Sequence, residues 1–226
     1  GRYFIYAPNF RVTSWISTDF RKKFAFDLSL GFRNYIDDEQ HNYKIGLTPR
    51  FRVSNNLLLI WETELFVSNN NRGYIDDNGV DIYFGQRAIT NLENSLQASY
   101  NFDPYKAIDL RFRNYWGTAD YSDDLFFLLN QNGTLTQFDY DISEYNPNRN
   151  FNIWNIDLSF RWRFAPGSEV SFLYRNQIFN EDDLSNINFG DSLDNLFQQT
   201  AQHTFSIRVT YFLDYNNLKN VFKHNS

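Results

Sequence analysis

The chain has 226 residues, room for one large domain or two small ones. Its 24 Phe, 15 Tyr and 5 Trp exclude a disordered protein, and the lack of cysteine excludes disulfides and thiolate metal sites. A net charge of −6 argues against nucleic acid as a partner, and no apolar run approaches the roughly 18 residues of a membrane helix.

The apolar fraction is an ordinary 42%, and the mean hydropathy of −0.56 is polar. Apolar residues are therefore diluted by regular polar interruption, which points to β structure with two unlike faces. The opening "GRYFIYAPNF" lacks the basic head and apolar core of a signal peptide. A removed signal or a longer parent chain are the two alternatives.

The first clear strand is "FAFDLSLGF", where Phe24, Phe26, Leu28, Leu30 and Phe32 share one face and Ala25, Asp27, Ser29 and Gly31 the other. In "YKIGLTPRFRV", Tyr43, Ile45, Leu47, Phe51 and Val53 oppose Lys44, Gly46, Thr48, Arg50 and Arg52. After the turn at Ser54, Leu57, Leu59, Trp61, Leu65 and Val67 oppose Glu62 and Glu64. Residues 80–102 keep one register from Val80 to Phe102 and predict a single long strand. Further strands carry Ile108, Leu110, Phe112 and Trp116, then Trp154, Ile156, Leu158, Phe160, Trp162 and Phe164. Val170, Phe172, Tyr174 and Ile178 follow, and Phe205, Ile207, Val209, Tyr211 and Leu213 close the series.

Such segments have the length of tilted membrane strands, about 9 to 11 residues, rather than the 5 to 6 of a soluble sandwich. A soluble sandwich or lipocalin-like barrel can also turn its charges to water. The membrane barrel is favoured by full-length apolar faces with aromatics clustered near strand ends. The connections alternate short (19–23), medium (36–41), short (54–56), long (69–79), short (103–106), long (118–149), short (165–168) and long (180–200). That alternation is the pattern of short periplasmic turns and long outer loops. The expected fold is thus all-β, a transmembrane antiparallel β-barrel over residues 1–213 with a periplasmic tail at 214–226. About nine strands are counted, whereas closed bacterial barrels have even numbers. Either residues 2–7 supply a tenth strand or this is the C-terminal part of a larger barrel, the second being the expectation.

Three R-x-R pairs, Arg50 and Arg52, Arg111 and Arg113, Arg161 and Arg163, fall on the predicted lumen face with Arg175, Glu62, Glu64 and Asp157. Such a set either pairs internally to hold the barrel or selects anionic solutes. Four acidic pairs fall in the predicted outer loops: Asp37 and Asp38, Asp76 and Asp77, Asp123 and Asp124, Asp182 and Asp183. They suit Ca²⁺ or Mg²⁺ or, more simply, a solvated loop surface. None has the spacing of a helix–loop–helix calcium site. Catalytic signatures are thin. His203 and Ser206 have the spacing of opposite faces, and His41 beside Asp37 and Asp38 is the candidate for a rim hydrolase.

"APNFRVTSWISTDFRKKF", "IYFGQRAITNLENSLQASYNF", "DLRFRNYW" and "FAPGSEVSFLYRNQIF" resemble the C-terminal barrel of a family of large bacterial outer-membrane proteins. There an N-terminal module similar to family-9 carbohydrate-binding domains precedes a barrel domain of unknown function. The resemblance implies missing upstream sequence and carries no site residue. The expected function is a non-enzymatic binding, transport or scaffold component of a Gram-negative outer membrane. Its expected partners are lipid, lipopolysaccharide, other outer-membrane or periplasmic subunits and, through the resemblance, a glycan. The alternatives are a rim hydrolase, an anion-selective channel and a soluble binding module.

Overall fold

The computed structural model describes residues 2–36, 38–121, 125–141 and 145–213. Nine strands follow one another as an antiparallel meander. They are β1 (Asn9–Ser17), β2 (Phe24–Tyr35), β3 (His41–Arg52), β4 (Leu57–Asp77), β5 (Ile82–Asp103) and β6 (Lys106–Asp120), then β9 (Arg149–Ala165), β10 (Ser168–Asp182) and β11 (Gln202–Thr210). A short hairpin, β7 (Phe126–Leu129) and β8 (Leu135–Phe138), hangs from the outer part of β5. One helix, α1 (Phe189–Phe197), lies between β10 and β11.

Each tight connection is set by its own residues. The Thr18 hydroxyl accepts from the Phe26 amide at 2.7 Å, and the Ser54 hydroxyl accepts from the amides of Asn56 and Leu57 at 3.1 Å. The Asp103 carboxylate accepts from the Tyr105 amide at 2.7 Å. At Pro166-Gly167 the chain turns through φ 71° at Gly167, a conformation that disfavours a side chain.

Residues 82–103 form one strand, in keeping with the unbroken period of that stretch. The expected long loop at 69–79 is replaced by strand: β4 runs 21 residues, and only 78–81 turn. Polarity made "SNNNRG" read as a loop. The ladder instead absorbs it as a bulge, with Asn70 at φ 52°. Arg87 donates to Asn71 at 3.0 Å, and Gln86 donates to Asn70 at 2.9 Å, binding the strands side chain to side chain.

The long 118–149 connection likewise contains the β7–β8 hairpin. Ile75, Tyr121 and Phe126 form a small buried cluster there, with Tyr83, Ala119 and Tyr140 packed on it. Residues 2–7 do not add a tenth strand. They run over this cap, where the Ile5 amide donates to Gly133 at 2.9 Å, Arg2 donates to Leu129 at 3.1 Å and the Phe4 ring lies 5.1 Å from Phe84. Packing against the exposed cap wins over pairing with an edge.

Register places Val12, Phe32, Ile45, Leu65, Leu92, Trp116 and their neighbours on one face of the sheet. Most of that face is uncovered, with Phe205 at 68% and Ile207 at 71% exposure. The chain accordingly exposes 15004 Å², where a compact monomer of its mass exposes about 11,000 Å². Among the described residues β1 pairs only with β2, and β11 only with β10, so the sheet is open.

Candidate functional site

The opposite face of the sheet is charged, and its side chains meet across strands. Asp157 on β9 sits between two guanidiniums, Arg113 at 2.7 Å and Arg175 at 2.6 Å. Arg111 is its direct cross-strand neighbour and donates instead to Gln97 at 3.0 Å. Toward β2 and β3, Lys44 pairs with Glu64 at 2.6 Å, and Arg50 pairs with Asp27 at 3.5 Å. Ser99 donates to Asp109 at 2.6 Å. These groups are partly solvated, so each pair is weaker than a fully buried one.

The remaining predicted members of this set are not in ion pairs among the described residues. Arg52 faces Leu58 across β3 and β4, and Glu62 faces Ser95. Arg161 and Arg163 line a recess of about 420 Å³ at the short-turn end of the sheet, together with Lys106, Tyr105, Asn101 and Glu169. Glu169 is the register partner of Arg163. The structure thus gathers Arg113, Asp157 and Arg175 into one cluster and leaves Arg52, Arg161 and Arg163 outside it.

At the other end the acidic residues serve the turns. Asp38 accepts from the Gln40 amide at 3.2 Å and lies 3.8 Å from Arg72, a side chain that also hydrogen-bonds Gln86. Asp76 and Asp77 cap the β4–β5 turn, accepting from the amides of Asp77 and Gly79 at 2.8 and 3.1 Å. Tyr74 donates to Asp77 at 2.8 Å, and that bond, followed by burial and the nearby carboxylates, pushes the phenol up to about 12. Asp182 accepts from Asn150, Asn180 and the Leu184 amide, and Asp183 accepts from Asn146 at 2.9 Å. Among the described residues no three His, Asp or Glu side chains converge as a metal group. Asp37, Asp123, Asp124 and the 214–226 tail lie outside the described residues.

His41 has both ring nitrogens engaged, Nδ1 with Glu39 O at 3.1 Å and Nε2 with the Asn69 side-chain Nδ2 at 2.9 Å. His203 pairs in register with Asn176 while Ser206 pairs with Leu173, so the two occupy opposite faces.

One arrangement was not read from the sequence. Helix α1 lies on the apolar face, over β6, β9 and β10. Asn188 caps it, accepting from the Asp191 amide at 3.0 Å. Leu196 is fully buried beneath it, and Phe189 and Phe197 pack on Trp116 and Trp154 at 5.6 and 4.9 Å. Under the helix a polar chain crosses the face: Ser192 donates to Asn150 at 3.1 Å, Asn152 donates to Ser192 at 3.0 Å and Asn114 donates to Asn152 at 2.8 Å. Trp116 adds a bond to Asn150 at 3.0 Å. The advance signal was the Asn at positions 114 and 152, in register with Trp154 and Trp116.

These features define a class: an antiparallel β meander with one bare apolar face, one charged face and a decorated end. The chain belongs to the family described as a domain of unknown function, DUF5916, whose match runs over residues 1–222. No curated protein matches it.

Proposed function

We propose that the chain forms part of the wall of a Gram-negative outer-membrane β-barrel, as a non-enzymatic binding, transport or scaffold component. The bare apolar face carries this reading. A soluble sheet of this breadth is covered by a second layer, because it must bury its apolar face against something. Here Phe205, Ile207 and Val209 remain 63% or more exposed, and bilayer hydrocarbon is the cover that fits them. The charged face then lines the lumen. Strands β1 and β11, exposed along their whole length, then need pairing, with each other or with strands of another polypeptide segment or subunit. Unpaired backbone groups in lipid cost several kcal/mol each. The acid-rich end meets the outer leaflet and its lipopolysaccharide.

Two measurements on the refolded chain test this, flotation with vesicles and gel mobility with and without boiling. Flotation supports membrane insertion, and a heat-dependent shift means that this chain closes a barrel by itself. A monodisperse species in buffer that ignores vesicles overturns the reading in favour of a soluble module.

A second reading, an anion-selective channel, is favoured by Arg52, Arg161 and Arg163 lying outside the ion pairs. Planar-bilayer conductance should then prefer anions, and Arg161→Gln with Arg163→Gln should abolish the preference. A conductance indifferent to both changes leaves the scaffold. The rim hydrolase finds no support at His41, whose ring nitrogens hold the β3–β4 edge.

A further inference from the structure

At the short-turn end of the charged face, the recess of about 420 Å³ has a floor and walls of distinct chemistry. Its floor is Ala107, a small side chain set in register between Asn101 on β5 and Arg161 on β9. Ala107 is 9% exposed, so longer neighbours surround its methyl and leave a depression above it. Arg163, two positions along β9, and Glu169, its register partner on β10, extend the wall. The turns beneath are tied together. Asn56 Nδ2 donates to Asn101 O at 2.6 Å, and the Arg163 backbone amide donates to Tyr105 O at 2.8 Å. Among the described residues, no hydrogen bond or ion pair engages the side chains of Arg161, Arg163, Asn101 or Glu169. Lys106 is already matched by Asp103 at 3.6 Å. Two guanidiniums thus stand against a single carboxylate, and the recess carries a surplus of one positive charge.

We propose that this recess binds a small hydroxylated monocarboxylate, of the sugar-acid class. The carboxylate takes the forked donors of Arg161 and Arg163, whose planar geometry suits it. Ligand hydroxyls donate to Glu169 and accept from the Asn101 carboxamide. The single surplus charge matches a monoanion, whereas a doubly charged phosphate monoester would also press a second negative charge on Glu169. A purely apolar carboxylate fits less well, because Glu169 and Asn101 would lose water without gaining a partner. A bare inorganic ion would leave most of the space to water, and the volume lies in the range of small-molecule sites, about 300–1,000 Å³. The binding itself does not depend on a membrane. Its role as a stopping place for a permeating anion rests on the channel reading above.

The test is a saturation-transfer NMR titration of the full chain in a polyoxyethylene detergent, which carries no sugar head group. The probes are D-glucuronate, D-glucose and cyclohexanecarboxylate. Glucuronate should bind about tenfold tighter than either of the others, the value of one hydrogen bond to a charged group. Equality with glucose, equality with cyclohexanecarboxylate, or no binding of glucuronate overturns the site. Arg161→Gln should bring glucuronate down to the level of glucose. Arg208 shares the charged face but is separated from Arg161 by Ser171 in register, so Arg208→Gln should leave the affinity within about twofold. Equal losses from the two changes would mean that only the general positive field acts, and would overturn the site. Ala107→Leu fills the floor and should abolish binding with every charge kept; if that variant does not refold, the two arginine variants decide. Planar-bilayer selectivity is scored separately. A chain that prefers glucuronate but conducts without anion preference loses the channel reading alone, and one that conducts anions without that binding preference loses the site alone.

Discussion

At the scale of single residues, the most consequential side chain on the charged face is Asp157. Its side chain is 16% exposed, and the carboxylate serves Arg113 and Arg175 together. Asp157→Asn keeps the size and one acceptor but removes the charge that both guanidiniums share. Charge-assisted bonds contribute about 1.5–3 kcal/mol each, less where water reaches them. The expected loss is about 2 kcal/mol, read from urea unfolding in detergent. Double substitution with Arg175→Gln should cost less than the sum of the two single changes. Tyr74 gives a pH signature instead. Its phenol, normally near 10, is held protonated to about 12 by the Asp77 carboxylate. The folded state therefore gains stability that is fully present below pH 10 and lost as pH rises through about 12. Tyr74→Phe should remove that alkaline loss, and the late tyrosinate absorbance step should vanish with it. An unchanged titration would show that the Tyr74–Asp77 bond does not form in solution.

Among the elements, the outer end of β4 and β5 and helix α1 depend on packing that the strand period does not specify. At Gly85 an added Cβ would lie 2.6 Å from Tyr121 Cε1 and 2.7 Å from Ile75 Cδ1. Both neighbours belong to the buried cluster, so neither can yield freely. Gly85→Ala should overpack the cap by about 1–3 kcal/mol. Hydrogen exchange should then accelerate in β7 and β8 while β9–β10 amides keep their protection. Helix α1 rests on Leu196, and Leu196→Ala should cost about 2–5 kcal/mol. The expected sign is faster exchange over residues 189–197, with the nine-strand meander intact. The period of two was legible from Phe24 to Leu213 because each strand has one apolar face. The helix was not legible, since "NFGDSLDNLF" lies in a polar connection. Its Phe189 and Phe197 rings pack on Trp116 and Trp154, which are distant in sequence.

For the whole molecule, face alternation makes a sharp test on the last strand. Ile207 and Ser206 are neighbours in sequence, but Ile207 pairs with Phe172 on the apolar face and Ser206 with Leu173 on the other. In vesicles Ile207→Lys should cost about 2–4 kcal/mol, the depth-dependent penalty of a lysine facing lipid. Ser206→Lys should cost far less, because it joins Arg208 on the charged face. Equal effects in vesicle-bound unfolding would mean that the apolar face does not meet hydrocarbon.

The sequence by itself determined the all-β class, the alternation of faces and the unbroken strand through residues 82–103. Each is a local consequence of side chains pointing to opposite sides at successive positions. It also brought the R-x-R residues onto a shared face, since spacing by two preserves the side. Only the tertiary structure decided which charges pair, because Arg113, Asp157 and Arg175 come from three strands whose register is set by neighbours. The same holds for the bulge at Asn70, the cap over β5 and the helix on the apolar face. Their stabilising contacts join residues tens of positions apart, and no local period records such contacts.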